Sequence, residues 1–234
     1  MISGNETLYA PNFALTRLGY QCIKWALDDD RYDGIATSNN SLPMYRYAEV
    51  LLNYAEAKAE LGEMNETVWN KTIKPLRERA GVVGAVPQSY DPYLASYYLN
   101  QTTDKWILEV RRERSIELAL EMVRPDDLMR WKLGDLFTSR WYGIYIPEKN
   151  VAYDLNNDGT PDVAVVDEYP ETTVPGVVYI ELDNSYRLSE GDHGYIEYGF
   201  NLGRLWQNRK YLRPIPTKAI QVNPNLLPQN PGWE

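Results

Sequence analysis

Arg46-Tyr47-Ala48-Glu49-Val50-Leu51-Leu52-Asn53-Tyr54-Ala55-Glu56-Ala57 is the stretch on which the fold turns. Polar Arg46, Glu49, Asn53 and Glu56 recur every three or four positions and continue at Glu60 and Glu63. Between them Tyr47, Val50, Leu51, Leu52, Tyr54, Ala55 and Leu61 make a wide apolar face. That is the period of an α-helix with one side turned to a core. The helix starts after Pro43 and stops at Gly62, a natural residue just past a helix end.

A second helix is predicted over 66–80, with Trp69, Ile73, Leu76 and Ala80 on one face and a kink at Pro75. The two make an antiparallel hairpin of tetratricopeptide size, present in a single copy. Residues 81–103 read as a linker rich in Gly, Pro and Tyr. Asp104 then reads as an N-cap for a helix running to Met122. Glu109, Arg111, Arg112, Glu113, Arg114 and Glu117 put charge on every face of that helix, so it is either solvated all round or built around buried ion pairs. Arg124-Pro125 breaks it, and 126–133 forms a short helix ended by Gly134.

The flanks have a different texture. Residues 1–43 read as loop, with an acidic run at 28–30, a polar stretch at 38–41 and one short strand at 20–25. Beyond 135, Val163–Val166 and 177–182 read as short strands, and the proline-rich tail as extended apart from a helical turn at 218–222. The fold class is therefore mainly α: a helical scaffold over 44–134 packed against a loop-rich region over 135–234 with a few short strands.

Composition acts by exclusion. With 24 Lys and Arg against 33 Asp and Glu, the 234-residue chain has a formal net charge of −9, which speaks against nucleic acid as a partner. A single Cys (Cys22) and a single His (His193) exclude an intrachain disulfide, multi-cysteine zinc sites and paired-histidine metal sites. Cys22 reads as a small buried apolar residue and His193 as a solvated loop residue. No apolar run is long enough to cross a bilayer, and the start lacks the basic and apolar regions of a signal peptide. No nucleophile elbow or Gly-rich phosphate loop is present, so catalysis has no named residue.

Two features point to ligands. In Asp154-Leu155-Asn156-Asn157-Asp158-Gly159-Thr160-Pro161-Asp162, oxygen-bearing Asp154, Asn156, Asp158 and Asp162 alternate around a Gly turn, with Thr160 offering a carbonyl. Such a loop suits a structural Ca²⁺, which wants six to eight oxygens. Asn and Asp also favour this turn with no ion at all, and no cofactor is required. The second feature is aromatic. The chain has 19 Tyr and 7 Trp against 3 Phe. Trp141, Tyr142 and Tyr145 cluster in one low-charge segment, and Tyr195, Tyr198, Phe200 and Trp206 in another. Aromatic faces with polar edges suit the flat C–H faces and hydroxyls of sugars; packing of the irregular half is the competing reading.

The 46–57 stretch closely resembles the helix motif of the SusD/RagB family, surface nutrient-binding lipoproteins of Bacteroidetes. Leu76-Arg77-Glu78-Arg79-Ala80-Gly81 is similar to the family's next motif. Glu113-Arg114, Glu117-Leu118, Glu121, Arg124, Asp127-Leu128 and Arg130-Trp131 follow in the family's order, with Met122 where Gly is usual. Tyr211-Leu212-Arg213-Pro214-Ile215-Pro216, Asn223-Pro224-Asn225-Leu226 and Gln229-Asn230-Pro231-Gly232-Trp233 resemble its C-terminal signature.

The resemblance implies the C-terminal half of a longer protein with a tetratricopeptide-like scaffold. It implies a non-enzymatic role: capturing an oligosaccharide or other nutrient at the outer-membrane surface and passing it to a SusC-like TonB-dependent transporter. Contact with the membrane would run only through a lipid anchor absent from this chain. It further implies that Glu113, Arg114, Glu117 and Arg124 form a buried ion network that holds the fold. A helical-repeat interaction scaffold without a small ligand, and then a secreted glycan hydrolase, are the alternatives.

Overall fold

The computed structural model describes residues 10–13, 15–22, 24–25, 27, 30–32, 41 and 43–233. Helix dominates, with a few short strands. The helices are α1 (Tyr47–Glu60), α2 (Glu66–Lys71), α3 (Ile73–Arg79), α4 (Pro92–Tyr97), α5 (Lys105–Glu117), α6 (Val123–Arg130) and α7 (Thr217–Val222). The strands are β1 (Tyr142–Ile146), β2 (Ala152–Tyr153), β3 (Val163–Val166), β4 (Val178–Glu181), β5 (Tyr186–Leu188) and β6 (Gly194–Tyr198). The chain forms two compact units: Leu42–Leu136 with Trp206–Glu234, and Met1–Ser41 with Phe137–Leu205.

In the helical unit, α1 buries a narrower stripe than its apolar residues promise. Ala48, Leu52, Ala55 and Ala59 are buried, whereas Tyr47, Val50, Tyr54 and Leu61 are exposed. The buried series has helical spacing and consists mostly of alanines, which allow close approach of a neighbouring helix. The expected helix over 66–80 is two helices broken at Thr72, whose ψ is −76°. The break lies one turn before Pro75, because proline has no N–H to give the carbonyl four residues back and its ring crowds that carbonyl. The Thr72 hydroxyl donates to the Val68 carbonyl at 2.7 Å and closes the end of α2.

The segment expected as a linker contains α4. Asp91 caps it, accepting from the Tyr93 and Leu94 amides at 2.9 and 3.2 Å, and Pro92 occupies its first turn. That cap-and-proline pair was visible in the sequence and is the signal that finds this helix. Asp104 caps α5 through the Trp106 and Ile107 amides at 2.7 and 3.2 Å. The helix ends at Glu117 rather than Met122, because Leu120 and Met122 adopt left-handed φ values of 65° and 64°. Helix α5 lies between two cores. Val110 joins the core of α1–α3, and Leu108 joins Leu94, Tyr98, Leu128 and Trp131.

Charge on α5 is resolved by pairing. Arg114, buried, holds Asp127 in a two-pronged bond at 2.9 and 3.0 Å and donates to Asn53 at 2.6 Å. Glu56 accepts from Arg130 at 2.5 Å and from the Trp131 indole at 2.6 Å. Arg77 of α3 bridges Glu109 and Glu113 at 2.6 and 2.7 Å. Burial raises the Glu113 pKa, outweighing the pull of Arg77. Arg46 ties Glu117 and Glu121 at 2.6 and 2.5 Å. Arg124 instead donates to the hydroxyls of Ser115 at 2.7 Å and Tyr97 at 3.2 Å. Arg111 stacks on Trp131 at 4.9 Å, and burial pulls its pKa down.

The second unit holds two three-stranded sheets, ordered β1-β6-β5 and β2-β3-β4. Strand β3 pairs antiparallel with β2 and parallel with β4, and all four of its residues are buried. Val163, Val165, Ile180, Leu188, Ile196 and Ile146 from both sheets share one core with Phe13. The expected strand at 20–25 is absent among its described residues: Lys24 and Trp25 lie in a turn, Trp25 at a φ of 68°. Cys22 is accordingly exposed rather than buried. The acidic run at 28–30 and the polar stretch at 38–41 fall mostly outside the described residues.

Two outcomes follow for stability. Asp127→Asn removes the two-pronged carboxylate partner of buried Arg114 and leaves Glu56, at 3.3 Å, as its remaining anion; the expected cost is about 1.5–3 kcal/mol, measured by urea denaturation. Met122 is 83% exposed and held at a φ of 64°, so it strains the backbone while packing against little. Met122→Gly is expected to stabilise by about 0.5–1 kcal/mol, read as a rise in Tm.

Candidate functional site

The site begins with a register irregularity. Alternation along a strand would put Tyr142 and Tyr145, three residues apart, on opposite faces. The pairing of β1 with β6 shifts between those two residues, so Tyr145 lies opposite Tyr195 while Tyr142 lies opposite Glu197. The bulge thus exposes both tyrosines on one face. It is shaped around Gly143: a Cβ there would lie 2.5 Å from the Leu18 carbonyl oxygen, and the neighbouring Ile144 amide donates to that same oxygen at 2.8 Å.

On that face Tyr195 meets Tyr145 edge-on at 5.2 Å and Tyr142 at 5.8 Å. Glu197, two residues along β6, shares the face. It is only 3% exposed and accepts from Arg187, directly opposite on β5, at 2.5 Å. Arg140 approaches the same carboxylate at 3.6 Å, beyond hydrogen-bond reach. Tyr198 projects to the other face, where it pairs with Tyr186 at 4.9 Å.

Glu197 forms part of the wall of a cleft of about 230 Å³. Arg140, Trp141, Tyr198, Phe200 and Arg204 supply most of the rest. The Arg204 guanidinium lies 4.3 Å from the Trp141 ring centre and donates to the Ser139 carbonyl at 2.8 Å. Arg187 stacks on Phe200 at 4.4 Å, and Arg17 sits 5.6 Å from the Tyr198 ring. The cleft therefore combines apolar ring surface with charged hydrogen-bonding groups, the pairing that small polar ligands need.

Five of the six aromatic candidates, Trp141, Tyr142, Tyr145, Tyr195 and Tyr198, lie on this sheet and its cleft. Trp206 belongs to the helical unit. There it meets Tyr211 at 4.8 Å and covers Gly134 so closely that a Cβ would fall 1.9 Å from its ring. The Gly134 amide donates to the Tyr211 hydroxyl at 2.8 Å. Sequence reading missed Arg140, Arg187, Glu197 and Arg204. Only the alternation along β6, which makes Glu197 a neighbour of Tyr195, was there to be read.

The loop at 154–162 is closed by its own hydrogen bonds. The Asp154 carboxylate accepts from the amides of Asn156, Asn157 and Asp158 at 3.2, 2.6 and 3.3 Å, and from Gly159 at 2.7 Å. Asp158 accepts from the Asn156 side chain at 2.9 Å and from the Thr160 amide at 2.8 Å, which lowers its pKa. Asp162 accepts from the Leu155 amide at 2.8 Å. Among the described residues, no group of three or more His, Cys, Asp or Glu is placed to hold a metal ion. His193 pairs with Glu190 at 2.9 Å on an exposed turn.

Comparison with known proteins covers nearly the whole chain. The sequence profile of the SusD family matches residues 1–233. A SusD-like protein P2 from Formosa agariphila is 29% identical over 210 residues, 87% of this chain and 29% of that protein. The crystal structure of a SusD-like protein from Bacteroides fragilis superposes with a TM-score of 0.51 at 22% identity, over 90% of this chain and 30% of that one, a likeness of fold alone. The chain thus spans under a third of the length of these relatives, less than the half expected from its motifs.

Asp154 is the keystone of its loop. Asp154→Ala removes the acceptor of four amides, which then turn to water. The expected loss is about 1 kcal/mol, measured by thermal melts in EDTA, where no cation contributes. A calcium-dependent rise in Tm confined to the unsubstituted chain would report a cation in the loop.

Proposed function

The chain belongs to the SusD family, and we propose that it is part of a nutrient-binding protein of the cell surface that captures an oligosaccharide without catalysing its breakdown. The larger protein is held at the outer membrane by a lipid anchor and hands its ligand to a SusC-like TonB-dependent transporter. The helical unit is one portion of a tetratricopeptide-like scaffold, and the sheet unit carries ligand contacts. No helix among the described residues is long and apolar enough to cross a membrane.

The observation that carries the reading is the cleft beside the tyrosine-bearing sheet face. Its rings offer flat apolar surface, and Glu197 with its arginines offers fixed polar groups beside them. A sugar ring presents C–H bonds on its faces and hydroxyls round its edge, so stacking and edge bonding occur together. Capture is then an equilibrium, and release to a transporter requires only that binding stay moderate. The carboxylate and arginine network around α5 serves stability, because its members are occupied with one another.

The test is calorimetric titration with an oligosaccharide selected on a glycan array. Trp141→Ala is expected to weaken binding about tenfold, the effect of losing one stacked ring. Tyr93→Ala, on the exposed side of α4 in the helical unit, is expected to leave it unchanged. Release of reducing ends during the titration would overturn the non-catalytic reading.

A further inference from the structure

The cleft inverts the charge of the molecule that carries it. The chain has a formal net charge of −9, yet two arginines and only one acidic residue line this cleft. Arg140 and Arg204 line the cleft, while Arg187 stacks on the Phe200 ring in its wall. The single carboxylate, Glu197, is buried and already satisfied by Arg187 at 2.5 Å.

That leaves cationic capacity on the wall. The Arg140 side chain is 62% exposed and makes only a long ion pair with Glu197 at 3.6 Å, which leaves most of its N–H groups facing solvent. Arg204 is pinned, its plane on Trp141 and one N–H on the Ser139 carbonyl. A guanidinium stacked on an indole still has in-plane N–H groups, and the stacking holds them in a fixed direction at little entropic cost. Two guanidinium groups beside an aromatic surface match a sugar that bears an oxyanion: the ring takes the apolar face and the arginines take the charge.

We propose that this cleft selects acidic saccharides, those carrying a uronate carboxylate or a sulfate ester, over neutral ones. The proposal rests on the glycan-binding reading above and names the class of glycan. Arg140 is the specificity residue, and Arg204 orients both the anion and the Trp141 ring.

The test is calorimetric titration of the 234-residue chain with three oligosaccharides of equal length: an oligogalacturonate, a sulfated carrageenan oligosaccharide and a neutral malto-oligosaccharide. At least one acidic probe is expected to bind about tenfold or more tightly than the neutral one, with the gap narrowing as salt is raised. The probe that binds identifies the anion. Arg140→Gln, at an exposed position, is expected to erase that preference by weakening the acidic probe about tenfold more than the neutral one, and Arg140→Lys to restore part of it. Equal binding of neutral and acidic probes, sensitive to Trp141→Ala, would overturn the charge preference and leave the glycan reading standing. Failure of all three probes to bind the folded chain would overturn both.

Discussion

Arg114 is the group on which the helical unit depends. It projects from the last turn of α5 into a region sealed from water, where an unpaired guanidinium could not be tolerated. It is paired with Asp127 from α6 and bonded to Asn53 from α1, so three separate helices meet at one cation. Glu56 extends the cluster to Arg130 and Trp131. A buried ion pair adds little net stability over an apolar substitute, but breaking it is costly. Its effect here is to fix which faces of α1, α5 and α6 meet, because any other rotation of these helices would leave a charge without its partner.

Arg77 repeats the device on the opposite side of α5, bridging Glu109 and Glu113 while lying 5.0 Å from the Trp69 ring. Helix α5 is thus neither solvated all round nor apolar. It is a charged rod whose neighbours supply the counter-charges, with Val110 and Leu108 entering the two cores between them. The sheet unit solves a different problem. Its core of Val, Ile and Leu side chains needs no ionic help, which frees arginines and tyrosines for the outer face and the cleft.

Legibility followed periodicity and local chemistry. The 46–57 stretch read as a helix because its pattern repeats every turn, and Asp104 read as a cap because a cap acts on amides two and three residues away. Val163–Val166 read as a strand because four consecutive buried residues leave little else. What escaped was set by contacts distant in sequence. Tyr47, Val50 and Tyr54 look like core residues and are exposed, since the small alanines decide which face packs. Strand β6 pairs with β1 some 50 residues away, across a bulge that alternation alone would not reveal. The short strands β1, β5 and β6 carry tyrosine and arginine rather than an apolar signature, so each depends on its partners for its conformation.

Sequence alone was enough for the helical scaffold, for excluding an intrachain disulfide and paired-histidine metal sites, and for motifs ordered enough to identify the family. Those are properties of composition and of residues within a turn or two of each other. Only the tertiary structure decided which carboxylate answers which arginine and that Trp206 packs on Gly134 apart from the other aromatic candidates. It also decided that Arg140, Glu197 and Arg204 converge on one cleft. The reason is physical. A charge or an aromatic ring has many candidate partners along a chain of 234 residues, and it is the packing of the apolar core that brings one particular set within bonding distance.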